Sequence, residues 1–153
     1  MKSVLFVCTA NICRSPMAMG FLRAKVQSDT TDWRIGSAGV WASEGYPAAT
    51  YSLRVMEDAG INISDHRSSQ ITKEMIWEFN LVLVMEKGHK EALKFEFPEY
   101  ASKIYLLSEM IGSYSNIEDP MGSSIVDFID TAREIEQIIN QGFERINQLA
   151  EGE

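Results

Sequence analysis

The stretch Val4-Leu5-Phe6-Val7-Cys8-Thr9-Ala10-Asn11-Ile12-Cys13-Arg14-Ser15-Pro16 constrains the fold more than any other part of the chain. An apolar run ends in a cysteine, a short loop follows, and Ser-Pro opens a helical pattern. This predicts a buried strand, a tight loop and a helix capped by Ser15, with Pro16 at its first position. A loop running into a helix N-terminus can turn its amides inward beside the positive end of the helix dipole, making an anion site suited to phosphate or sulfate. Cys8 would lie on the floor of that site, where the same amides stabilise a thiolate. Arg14 at the far end can fork two N–H groups onto two phosphoryl oxygens, as lysine cannot. A cysteine ending a hydrophobic strand is by itself only a small buried apolar residue. Its place six positions before an arginine, between a strand and a helix start, points instead to a nucleophilic phosphatase site.

The rest of the chain alternates strand and helix signals. Residues 3–8 read as the first strand and 16–28 as a helix. A turn at 29–32 leads to a second strand at 33–39, so that the three elements form a βαβ unit. A loop carrying Trp41 and Tyr46 precedes a helix over 47–59, stopped by Gly60. Thr72 caps a short helix to Phe79, residues 80–85 are a third strand, and a helix to about Lys94 follows. Residues 103–107 are a fourth strand. His89 falls at a polar helix start and is given no chemistry. Apolar residues from Ile125 to Leu149 recur at three- and four-residue steps and predict one long helix over 124–149, packed on the sheet. The expected architecture is a single α/β domain over 1–153, flavodoxin-like and doubly wound: four parallel strands in the order 2-1-3-4, with helices on both faces.

Charge and cysteine usage narrow the function classes. A net charge of −8, from 14 basic and 22 acidic residues, argues against nucleic acid or an anionic membrane as partner. The positive charge for an anionic substrate must therefore be local. Two cysteines make no disulfide framework, and neither a signal peptide nor zinc spacing is visible. The expectation is a cytoplasmic monomer without metal or cofactor.

The segment Val7 to Pro16 resembles the signature of the low molecular weight protein tyrosine phosphatases, and the resemblance extends over essentially the whole chain. It implies Cys8 as nucleophile, Arg14 as phosphate clamp, and Asp119 of Asp119-Pro120 as general acid and then general base. For this, Asp119 should be protonated when substrate binds and somewhat desolvated in the closed cleft. Thr9, Ala10, Asn11, Ile12, Cys13 and Ser15 would surround the phosphate, Ser15 also donating to the thiolate. Trp41 and Met121 would wall the cleft, Met121 standing where most members carry an aromatic. Asn11, Ser37 and His66 would be structural supports of the loop. Ala10 departs from the family's usual glycine, which would strain the loop if that position needed positive φ.

Phosphorylated proteins are the implied partners. A protein-arginine-phosphatase branch of the family matches the Ser-Ala-Gly-Val and Asp-Pro-x-Gly stretches, but carries threonine where this chain has Ile12. An apolar β-branched side chain there dries the cleft and favours an aromatic ring, so phosphotyrosine is the expected substrate and phosphoarginine the alternative. A thioredoxin-coupled arsenate reductase would need cysteines after Cys13, and none is present. A pure thiol switch would not need Asp119, so a Cys8–Cys13 disulfide is read as protection of the nucleophile. A non-catalytic phosphopeptide-binding module would not need nucleophile, arginine and acid together.

Overall fold

The computed structural model describes residues 1–27 and 32–152. The chain runs β1 (Lys2–Cys8), α1 (Arg14–Lys25), β2 (Trp33–Gly39), α2 (Thr50–Asp58), α3 (Lys73–Glu78), β3 (Leu81–Val84), α4 (Lys87–Glu96), β4 (Ile104–Leu106), α5 (Ile125–Gln141) and α6 (Phe143–Ala150). Two 3₁₀ segments, Pro98–Lys103 and Leu107–Ile111, flank β4. The strands form one parallel sheet in the expected order β2-β1-β3-β4, with Val4 facing Ile35 on one side and Leu81 on the other.

The two faces of the sheet explain the unbroken apolar runs. Val4, Phe6 and Cys8 of β1 and Leu81 and Leu83 of β3 pack with Met17 and Leu22 of α1, Met56 of α2, Ile135 and Ile139 of α5 and Ile146 of α6. Leu5, Val7, Val82 and Val84 point the other way, onto Ile76 of α3 and Leu93 of α4. A strand covered on both faces has no polar side to present, so alternation disappears from its sequence.

Helix ends follow local chemistry, with three departures from the sequence expectation. Gly60, at φ 79°, closes α2: its N–H bonds Glu57 O and that of Ile61 bonds Met56 O, the paired pattern of a glycine C-cap. Thr72 caps α3 by accepting from Met75 N at 3.2 Å. The first departure is α1, which starts at Arg14 with Cys13 at the N-cap position and no side-chain cap, so Ser15 is not the cap. Pro16 is still tolerated, because the first helical N–H groups have no intrahelical acceptor to lose. The second is at the chain's end. The expected helix over 124–149 is two, broken at Gly142, where a Cβ would lie 2.7 Å from Met110 Cβ and 2.9 Å from Met110 O. Close backbone approach selects the glycine there, and the helix turns around it. The third is in boundaries: α1 ends at Lys25 rather than 28, and α2 opens at Thr50 rather than 47. The expected turn at 29–32 lies, Asp32 apart, outside the described residues.

Candidate active site

Every element of the site sits at the carboxyl edge of the sheet, around the central strands β1 and β3 where an open parallel sheet leaves its crevice. The loop 9–13 leaves β1 and curls into α1. Four of its five carbonyls are taken by donors outside it. Thr9 O accepts from Trp41 N (2.9 Å), Asn11 O from His66 Nε2 (2.7 Å), Ile12 O from Ala49 N (2.8 Å) and Cys13 O from Ser52 Oγ (3.5 Å). In a trans peptide the following N–H points opposite to the carbonyl. Tying these carbonyls outward therefore turns the N–H groups of Ala10, Ile12, Cys13 and Arg14 into the concave side of the loop, beside the N-terminus of α1. Gly39 makes the close packing possible, since a Cβ there would meet Thr9 O at 2.5 Å.

Asn11 holds the loop's shape. It is the one described non-glycine residue at positive φ (59°), and it is fully buried. Its Nδ2 donates to Ser15 Oγ at 2.7 Å and Ser37 Oγ at 2.9 Å, and its Oδ1 accepts from Ser69 N at 2.9 Å. These bonds offset the roughly 1 kcal/mol cost of the left-handed conformation, which asparagine bears better than most. Ala10 is spared, and its replacement of glycine carries no positive-φ strain.

Cys8 Sγ lies 3.0 Å from Ser15 Oγ, on the floor. Arg14 is 1% exposed. Its Nη1 donates to Glu86 Oε2 and to Ile117 O, each at 2.7 Å, while Nη2 reaches Thr9 Oγ1 at 3.4 Å and Asp119 Oδ2 at 3.5 Å. Among the described residues, Arg14 Nε is the buried side-chain nitrogen or oxygen left without a hydrogen-bond partner. One edge of the guanidinium is thus anchored by protein, and a desolvated N–H stands ready for an oxyanion. Cys13 is buried, and that burial, with Asp119 and Cys8 adding to it, pushes its thiol up to about 12. At neutral pH Cys13 stays a protonated, apolar neighbour.

Asp119 follows β4 in a loop pinned by Ile117 N to Met85 O (2.9 Å), and its Oδ1 accepts from Met121 N at 3.0 Å. Its side chain is 44% exposed. Pro120 is buried beneath, while Met121 and Trp41 are exposed at 48% and 84%. His66 is buried, and burial holds its imidazole below the ordinary range, so it donates to Asn11 O as a neutral ring.

Two residues of the site went unread in the sequence. Glu86 braces Arg14, and His89, expected at a polar helix start, is 6% exposed and hydrogen-bonds Thr9 Oγ1 at 2.9 Å. Their signal was positional: both follow the end of β3, the strand paired with β1, where a crevice must open. Among the described residues no group of three or more His, Cys, Asp or Glu is placed to hold a metal ion, and no helix is long and apolar enough to cross a membrane.

This geometry has relatives. The family model described as low molecular weight phosphotyrosine protein phosphatase matches residues 3–151. A curated relative from Geobacillus stearothermophilus, named protein-arginine-phosphatase, is 38% identical over 144 residues, covering 94% of this chain and 95% of that protein. The probable low molecular weight protein-tyrosine-phosphatase EpsP of Ralstonia solanacearum is 34% identical over 148 residues, covering 97% and 98%. Among solved structures, the low molecular weight protein tyrosine phosphatase from T. tengcongensis superposes with a TM-score of 0.89 at 41% identity, covering 95% of this chain and 99% of that one. Sequence and fold agree over nearly the full length, and the chain belongs to the low molecular weight phosphotyrosine protein phosphatase family.

Proposed function

We propose that this phosphatase hydrolyses phosphotyrosine monoesters on proteins through a phosphocysteine intermediate. The observation that carries the reading is the buried guanidinium of Arg14, anchored along one edge and unpaired at Nε, beside the inward-facing loop that starts at Cys8. The N–H groups of the loop and Arg14 hold the equatorial phosphoryl oxygens, while the Cys8 thiolate, steadied by Ser15 Oγ–H, attacks phosphorus in line. The S–P bond forms as the P–O bond to tyrosine breaks, and Asp119 gives its proton to the leaving oxygen. Water then attacks phosphorus and surrenders a proton to Asp119. The S–P bond breaks, releasing phosphate and restoring the thiolate. Thr9, Ala10, Asn11, Ile12, Cys13 and Ser15 make the cradle, and Trp41 and Met121 flank the entering ring. The Cys8–Cys13 pair makes the site redox-sensitive, and the chain acts as a cytoplasmic monomer with no nucleic-acid partner. A net charge of −8 and two free cysteines support that setting.

Half-buried Ile12 favours an aromatic ring over a guanidinium at the loop's rim. Discrimination of that size is worth about 1–3 kcal/mol. Relatives named protein-arginine-phosphatase, at 38% and 33% identity, support a second reading in which the bond broken is P–N of phosphoarginine. Rates on matched phosphotyrosine and phosphoarginine peptides decide between them. A higher kcat/KM on phosphotyrosine is expected, and the reverse order assigns the chain to phosphoarginine.

A further inference from the structure

His89 closes a ring of hydrogen bonds around one side of the loop. Glu86 N–H points at His89 Nδ1 at 3.2 Å, and His89 Nε2 meets Thr9 Oγ1 at 2.9 Å. Thr9 Oγ1 also accepts from Arg14 Nη2 at 3.4 Å, and Arg14 Nη1 returns to Glu86 Oε2 at 2.7 Å. The network assigns the tautomer. A backbone N–H can only donate, so Nδ1 is the acceptor and the single ring proton sits on Nε2, donated to Thr9. The ring therefore joins both ends of the loop, Thr9 and Arg14, to the start of α4, and it does so only with a neutral imidazole.

We infer that His89, as a neutral donor to Thr9 and acceptor from Glu86, is a positioning residue that sets how tightly Arg14 and the loop hold a phosphoryl group. This rests on the phosphatase reading of the site. The charged groups facing His89 are Glu86, Arg14 and Asp119, with the Glu86 carboxylate 3.6 Å from Nε2. Adding a proton at Nδ1 sets N–H against the Glu86 N–H and breaks that bond. It also makes the ring a cation that competes with Arg14 for the Glu86 carboxylate. Burial holds His89 below the ordinary imidazole range, in keeping with a neutral ring. Protonation is thus pushed to more acid pH than for a free imidazole. There it loosens Arg14, and phosphate affinity falls as pH falls.

The test is calorimetric titration of the full chain with inorganic phosphate from pH 7.5 to 5.0. His89→Phe, which keeps a ring and removes both bonds, is expected to weaken binding about tenfold at pH 7.5, the size of one lost hydrogen bond to a charged network. His89→Gln offers an acceptor and a donor without titrating, and is expected to recover most of that loss. Its affinity relative to the unmodified chain should rise as pH falls, a ratio in which phosphate and His66 protonation cancel. Thr9→Val breaks the same link from the other end, together with the Arg14 Nη2 bond, without touching α4, and should weaken binding at least as much if H89F does not fold. Unaltered phosphate binding in H89F or T9V, or an H89Q profile parallel to that of the unmodified chain, overturns the inference. Phosphate binding needs no turnover. A chain that binds phosphate yet hydrolyses no phosphoester overturns the function while leaving His89's role standing.

Discussion

Cys8 Sγ and Ser15 Oγ lie 3.0 Å apart, and this contact rather than a helix cap accounts for the serine after Arg14. Ser15 Oγ accepts from Asn11 Nδ2 at 2.7 Å, so its own hydrogen is free to turn to the sulfur. The hydroxyl is thereby oriented by a residue that itself stands in a left-handed conformation, and loop shape and the Cys8 sulfur are coupled through two short bonds.

Replacing the proposed nucleophile separates binding from chemistry. Cys8→Ser is expected to abolish turnover of p-nitrophenyl phosphate while leaving phosphate affinity within a few-fold, because Arg14 and the loop N–H groups are untouched. Steady-state kinetics beside calorimetry make the check, and substantial residual turnover would move the nucleophile elsewhere.

Asp119 is tested by its leaving group. Asp119→Asn should slow esters of poor leaving groups by roughly 10²–10⁴, the usual size of general acid catalysis, and good leaving groups much less. A leaving-group series of aryl phosphates measures the slope. Equal losses along the series would remove Asp119 from proton transfer.

Oxidation should run in a fixed order. Both cysteines are free and buried, and Cys13 is held protonated near neutral pH. Mild peroxide is therefore expected to form a sulfenic acid on Cys8 first. Cys13 sulfur then displaces water, giving a Cys8–Cys13 disulfide that dithiothreitol reverses. Cys13→Ala should be active when reduced, yet lose activity irreversibly at the same peroxide dose. Mass spectrometry distinguishes a loss of two hydrogens from sulfinic acid, and sulfinic acid as the first stable product of the unmodified chain contradicts the scheme.

Gly142 tests the break between α5 and α6. Helix propensity alone favours alanine by about 1 kcal/mol. The Cβ would stand 2.7 Å from Met110 Cβ, and overpacking of that kind costs about 1–3 kcal/mol. Gly142→Ala is expected to lower the melting temperature, with phosphate affinity unchanged. A rise would mean that the two helices are free to straighten into one.

The strand–loop–helix at the start of the chain, the parallel order 2-1-3-4 and the spacing of Cys8 from Arg14 were all legible in the sequence. The first and last are local patterns, an apolar run of strand length, a period of three to four and two residues six apart, whereas the sheet order follows from the strand–helix alternation and the family resemblance. The Ser15 contact with Cys8 was implied by the family resemblance, but which residue takes the positive φ and where the last helix breaks were not legible, because a partner elsewhere decides each. Asn11 is held by Ser37 and Ser69, and Gly142 is selected by Met110. The brace on Arg14 spans 72 residues to Glu86 and 103 to Ile117. A buried guanidinium must find acceptors wherever the fold supplies them. The packing of β1 beside β3 brought Glu86 and His89 to the loop, and beyond their place after β3 no residue pattern around 86 or 89 marks the contacts they make there.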